Sequence, residues 1–184
     1  DVGDLLDASG KDIIIFETVG VGQGEFDVAK AADITVVVLV PESGDEIQLM
    51  KAGLIEIADL FVINKADRQG SNRIASTLKN VLHHFSNDKS REPEVLKTIA
   101  YKGDGISELY LAIKEELRLM EESGSLTKRK LNRYKDRVSG IIQDSLEKEF
   151  WTSERKNSLD IKAKSLKNIS LAPNDIAKSL LESR

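Results

Sequence analysis

Leu60-Phe61-Val62-Ile63-Asn64-Lys65-Ala66-Asp67 decides how this chain folds. Four large apolar residues without alternation run straight into a polar loop. A strand with one wet face alternates apolar and polar positions, so an unbroken run fits a strand covered on both faces, as in a parallel sheet. Ile13-Ile14-Ile15-Phe16 and residues 34–40 share this character, and a further apolar run covers residues 95–100. Between the runs the spacing is helical. Residues 45–57 carry Ile47, Met50, Leu54 and Ile57, and residues 71–85 carry Ile74, Leu78, Leu82 and Phe85. After the last run come Ile106, Leu109, Tyr110, Ile113, Leu117 and Met120. Strand and helix in repeated alternation predict a doubly wound α/β domain, a mostly parallel sheet flanked by helices.

That domain is expected over residues 1–122, and residues 123–184 read as a helical C-terminal arm. Glu121-Glu122-Ser123-Gly124-Ser125 supplies a helix stop and linker. From Lys128 the chain is highly charged, with Leu131, Tyr134, Val138, Ile141, Ile142, Leu146 and Phe150 on one apolar stripe. Such a stripe needs a partner surface, on its own domain or on a second subunit. Phe150 and Trp151 read as packing at the base of the arm, and a polar stretch then leads to a last short helix over residues 174–181. The chain opens at Asp1 rather than Met, in what reads as the middle of a helix (Val2, Leu5, Leu6), so further sequence upstream is expected.

The 184 residues carry a formal net charge of -4 and no cysteine. An acidic balance counts against nucleic acid, which would favour a clustered basic excess. The lack of cysteine excludes a disulfide framework and thiolate metal sites, and allows a reducing compartment; the cytoplasm is the expected location. No apolar run reaches the roughly 18 residues that a membrane helix needs.

Three loops carry chemistry. Asn64-Lys65-Ala66-Asp67 follows a predicted parallel strand at its C-terminal end, where open α/β sheets bind ligands. A carboxylate there can accept two hydrogen bonds from the N1 and N2 donors of guanine. Adenine lacks that donor pair, and a charged acceptor left unpaired costs about 1–3 kcal/mol or more, so the penalty discriminates as much as the bond. Asn64 buttresses the neighbouring loop and the Lys65 stem can lie along the base. The plainer alternative is a polar turn that uses Asn and Asp as turn formers. Thr98-Ile99-Ala100-Tyr101-Lys102-Gly103-Asp104-Gly105-Ile106 follows the next strand and resembles the guanine-specificity loop of G proteins. The resemblance implies that the Ala100 backbone N–H meets the guanine carbonyl. Ile99 stands where a small polar residue is usual. The nucleotide-binding candidates are therefore Asn64, Lys65, Asp67, Ala100 and Tyr101.

The third loop is Glu17-Thr18-Val19-Gly20-Val21-Gly22-Gln23. An acidic residue at a strand end can hold Mg²⁺ through water, because Mg²⁺ keeps much of its hydration shell. A glycine three residues on lets a backbone N–H approach a γ-phosphate, and Gly20, Gly22 and Gly24 leave the loop free to move between two states. Glu17, Gly20 and Gln23 are the catalytic candidates, with Glu17 also the metal candidate. Asp45-Glu46-Ile47-Gln48 opens a helix as a capping box, Asp45 the N-cap and Gln48 reaching back; with Lys51 one turn on, these side chains could also face a partner.

Glu17-Thr18-Val19-Gly20-Val21-Gly22-Gln23 resembles the signature of the methylmalonyl-CoA mutase-associated GTPases, known also by an older arginine/ornithine transport ATPase label. Asp27-Val28-Ala29, residues 36–41, Lys51-Ala52-Gly53 and Glu56-Ile57-Ala58-Asp59 fit, as do Met120-Glu121-Glu122-Ser123-Gly124 and Leu171-Ala172-Pro173. The similarity thus spans essentially the whole chain. It implies a P-loop GTPase fold, GTP or GDP with Mg²⁺, and a homodimer built partly from the C-terminal helices. It also implies an adenosylcobalamin-dependent acyl-CoA mutase (methylmalonyl-CoA mutase) as partner, whose cofactor loading and protection the GTPase gates. Asp45, Gln48 and Lys51 map onto a switch that signals to that mutase, and residues 128–150 onto the dimer contact.

Gly24 and Ala172 depart from the family pattern, standing for a serine and for a capping threonine before Pro173. The larger departure is that G-x-x-x-x-G-K-[ST], whose amides and lysine hold phosphates, occurs nowhere in these residues. The family places it upstream of Asp1, so this stretch is expected to be inactive alone and, with a bare sheet edge, poorly soluble. Two other readings stand beside the leading one: a non-hydrolysing module that binds the mutase, and a transport-associated kinase.

Overall fold

The computed structural model describes residues 2–18, 24–41, 54–85, 92–163 and 172–182. Its sheet is built around the run that the sequence singles out. Strands β1 (Val36–Leu39), β2 (Leu60–Ile63) and β3 (Glu94–Lys97) are parallel and lie in that order, with Phe61 opposite Val37 on one side and Val95 on the other. All of β2 is buried. Phe61 and Ile63 are 0% exposed, as an unalternating run between two covered faces requires.

The helices in chain order are α1 (Val2–Ala8), α2 (Gly24–Ala31), α3 (Leu54–Ile57), α4 (Ser71–Phe85), α5 (Ile106–Glu122), α6 (Ser125–Phe150), α7 (Ser153–Ala163) and α8 (Pro173–Glu182). Helix α4 takes the range its periodicity predicts. Its Ile74, Ala75, Leu78 and Leu82 join Leu39, Ile55, Ala58, Phe61 and Ile63 in one core. Helix α5 ends at Ser123 and Gly124, where a φ of 72° at Gly124 turns the chain directly into α6. The linker is thus two residues long. Among the described residues no helix is long and apolar enough to cross a membrane.

Residues 13–16 depart from expectation. They lie in neither helix nor strand, with Ile13, Ile15 and Phe16 exposed. A strand needs a neighbour to receive its N–H and C=O groups, and among the described residues none pairs with this segment. Apolar composition fixes what a segment prefers to bury, not whether the surface that buries it is at hand. Helix α2 begins at Gly24, which the glycine pattern assigns to a mobile loop. Helix α7 occupies what reads as a polar stretch. It buries no residue, so no apolar stripe announces it. Its start is set by capping, with Thr152 Oγ1 accepting the Arg155 N–H at 3.3 Å.

The chain divides into two compact units, one through Leu131 and one from Asn132. In the first, Arg129 of α6 donates to Asp59 Oδ2 at 2.8 Å, to Asp59 Oδ1 at 2.9 Å and to the Asp33 carbonyl at 2.8 Å. Asp59 also accepts the Thr35 N–H at 2.8 Å, just ahead of β1. The bond with Asp59 raises the Arg129 pKa above its ordinary value, against the pull of desolvation. In the second unit α7 and α8 pack together. Lys162 Nζ donates to Ser179 Oγ at 2.5 Å and Leu180 is buried. Phe150 and Trp151 meet edge to face at 5.0 Å, with the Arg155 guanidinium over the Phe150 ring. Helix α8 starts with Pro173, and the Ala172 carbonyl accepts the Asp175 N–H without side-chain help.

Candidate functional site

The C-terminal ends of β2 and β3 deliver two loops to one place. The ladder continues past the strands: Asn64 N–H donates to the Leu39 carbonyl at 2.8 Å, and Thr98 N–H to the Ile63 carbonyl at 2.9 Å. Ala66 N–H then donates across to the Thr98 carbonyl at 3.0 Å, so the loops are joined through backbone. Lys65 sits between with φ 57°, the only non-glycine residue in the left-handed region among those described. That conformation costs of order 1–2 kcal/mol. It turns the chain within one residue, so that Asn64 faces the β3 loop and Asp67 follows one turn on. Ser71 Oγ donates to the Ala66 carbonyl at 2.8 Å and ties the loop to the start of α4.

Asn64 Oδ1 accepts from both Thr98 Oγ1 at 3.2 Å and the Ala100 N–H at 3.1 Å. This is the buttress expected of Asn64, and Thr98, 3% exposed, is a member of it that sequence reasoning gives no role. The Ala100 N–H is thus engaged by Asn64. Asp67 Oδ2 accepts the Tyr101 hydroxyl proton at 2.8 Å. The Lys102 ammonium lies 5.3 Å from the Tyr101 ring centre. Its pKa is raised by the Tyr101 hydroxyl first, with Asp67 and Asp104 adding negative field.

The β3 loop keeps its shape through its own backbone. Residues 100–102 form a short 3₁₀ turn, closed by Lys102 N–H on the Ile99 carbonyl and Gly103 N–H on the Ala100 carbonyl. Ile99 N–H donates to the Asp104 carbonyl at 2.9 Å, so the apolar substitution at Ile99 leaves the backbone pairing intact. Gly105 has φ 77°, and a Cβ there would stand 2.2 Å from the Lys97 carbonyl oxygen. Only glycine lets the loop pass so close to β3.

Asn64, Lys65, Asp67, Ala100 and Tyr101 are therefore brought together. Glu17 is exposed, in the segment that follows residues 13–16. Among the described residues no group of three metal-ligating side chains exists. A single exposed carboxylate does not make an inner coordination shell, and with residues 13–16 outside any strand Glu17 does not stand at a strand end. Gly20, Gln23, Asp45, Gln48 and Lys51 lie outside the described residues.

Residues 1–155 match the family described as methylmalonyl Co-A mutase-associated GTPase MeaB. The chain belongs to this family. A Pyrococcus abyssi protein carrying the GTPase name is 46% identical to this MeaB-family chain over 151 residues, covering 78% of the chain and 46% of the relative. The mouse protein named methylmalonic aciduria type A homolog, mitochondrial, is 37% identical over 155 residues, 80% of the chain and 37% of the relative. The Escherichia coli GTPase ArgK is 36% identical over 126 residues, 66% of the chain and 38% of the relative. The MeaB-family chain thus spans less than half the length of these relatives.

Proposed function

We propose that these residues form the guanine-reading part of a GTP hydrolase that gates cofactor loading and protection of an adenosylcobalamin-dependent methylmalonyl-CoA mutase. The supporting observation is the joined pair of loops, in which Asn64 grips the Ala100 turn while the Asp67 carboxylate stands beside it. The Asp67 carboxylate offers the acceptor pair that the N1–H and N2–H edge of guanine needs, on a turn that Asn64 holds through the Ala100 N–H, with the Lys65 stem along the base. The mutase partner is supported by the family description and by the name of the mouse relative.

Hydrolysis is assigned to the longer protein, because these residues hold no G-x-x-x-x-G-K-[ST] to grip phosphates. Glu17 would meet the metal through water, and Gly20 and Gln23 would face the γ-phosphate. Asp45, Gln48 and Lys51 would report to the mutase, and the apolar stripe of α6 would join two copies. Positioning dominates phosphoryl transfer, so turnover is expected to be slow alone and raised by the mutase.

The test is Asp67→Asn in the full-length protein. An amide offers one acceptor and one donor, which fits xanthine and leaves one guanine N–H without its acceptor. GDP affinity should fall about 10–100-fold, the equivalent of roughly 1.5–3 kcal/mol for a bond to a charged group, while xanthosine diphosphate gains. Unchanged GDP binding would sink the assignment.

A further inference from the structure

We propose that the Tyr101 hydroxyl is a built-in competitor for the base, held on Asp67 until a purine with its own donors displaces it. The inference rests on reading Asp67 as the guanine carboxylate, and concerns how that site behaves when empty. The Tyr101 hydroxyl donates to Asp67 Oδ2 at 2.8 Å, across the gap between the two loops. Guanine would use that carboxylate through N1–H and N2–H. The neighbouring bond from the Ala100 N–H to Asn64 Oδ1 at 3.1 Å is of another kind, because it fixes the turn on which Tyr101 stands.

The two internal bonds differ in how they can be broken. Ala100 is held by backbone closure of its turn and by an Asn64 side chain that also carries Thr98. Tyr101 lies on the same fixed turn, but the residue is 72% exposed, so rotation about its side-chain bonds releases Asp67 without moving the backbone. The Lys102 ammonium lies 5.3 Å from the ring centre and does not enclose it.

Guanine brings two N–H donors to the carboxylate and so outbids one neutral hydroxyl. Adenine brings no such pair and cannot compensate for the bond it would break. The hydroxyl thus stabilises the empty site, lowers guanine nucleotide affinity and speeds release by taking back the carboxylate as the base leaves. One exposed hydrogen bond of this kind corresponds to a factor of about 3–10 in binding.

Tyr101→Phe in the full-length protein tests this, with GDP binding measured by calorimetry and by stopped flow. The variant should bind GDP about 3–10-fold more tightly and release it more slowly, with the preference for GDP over ADP kept. GDP binding that is unchanged or weaker in Tyr101→Phe overturns the proposal. Asp67→Ala separates the two layers of argument. If Tyr101→Phe alone tightens GDP binding, Asp67→Ala weakens it, and Tyr101→Phe has no effect in the Asp67→Ala background, the hydroxyl acts through Asp67 as proposed. If Asp67→Ala weakens GDP binding while Tyr101→Phe alone does not tighten it, the competitor falls and the guanine reading stands. If Asp67→Ala leaves GDP binding untouched, both fall.

Discussion

Arg129, in the second turn of α6, and Asp59, just ahead of β2, are joined by two hydrogen bonds of 2.8 and 2.9 Å across 70 residues of sequence. The pair is partly withdrawn from water, with the Asp59 side chain 13% exposed and Arg129 34%. Exposed pairs contribute about 0–1 kcal/mol, whereas stripping one partner from a buried pair costs several. Arg129→Ala should therefore destabilise the full-length protein by about 1–3 kcal/mol in urea, with the slope of the transition unchanged. Arg129→Lys keeps the charge and loses the fork, and should recover less than half of that. A midpoint within error of wild type for Arg129→Ala would show that water replaces the guanidinium at no cost.

Nothing in the sequence joins Arg129 to Asp59. One is a basic residue in a charged helix, the other an acidic residue before a strand, and no spacing rule connects positions so far apart. The central strand and α4 were legible because their signals are local: four unbroken apolar residues for β2, and an apolar stripe at helical spacing for α4. Residues 13–16 carry as strong a local signal as β2, yet strand formation depends on a neighbour that periodicity cannot report. Helix α7 has the opposite problem, since it buries nothing and is fixed by the Thr152 cap. At the site, the Asn64 buttress followed from its motif. The Tyr101 to Asp67 bond did not, because a side chain on one loop reaching the next is set by the shape of both.

Gly105 and Gly103 share positive φ but differ in surroundings. An added Cβ at Gly105 meets the Lys97 carbonyl oxygen at 2.2 Å, while at Gly103 nothing lies within 4 Å. Gly103→Ala should cost about 1 kcal/mol, the penalty of the left-handed conformation alone. Gly105→Ala adds a backbone clash and should cost about 2–4 kcal/mol. Thermal and urea melts of the two variants check the difference; equal losses would mean that the loop shifts freely away from β3.

Phe61 is the largest fully buried side chain of the central strand. Phe61→Ala removes its packing against the core and leaves a cavity between the sheet and its helices, at about 3–5 kcal/mol. Phe61→Leu keeps most of the volume and should lose about 1–2 kcal/mol. Denaturant midpoints read both, and a loss below about 1 kcal/mol for Phe61→Ala would mean that the sheet collapses readily onto the vacated space.

Asn64 Oδ1 serves two donors at once, and substitutions can separate them. Thr98→Val removes only the hydroxyl that reaches it at 3.2 Å, in a buried position of nearly unchanged volume, and should cost about 0.5–1.5 kcal/mol. GDP affinity should change little, because Ala100 stays held. Asn64→Ala removes the acceptor for both, leaving the buried Thr98 hydroxyl and the Ala100 N–H to find others. It should cost about 1–3 kcal/mol and weaken GDP binding roughly tenfold as the Ala100 turn loosens. In the double variant the losses should fall short of their sum by about 0.5–1 kcal/mol, since Thr98→Val has no bond left to break once Asn64 is gone. Strict additivity in the stability cycle would show that the two side chains do not act through their bond, and would leave the backbone link from Ala66 to Thr98 as what aligns the two loops.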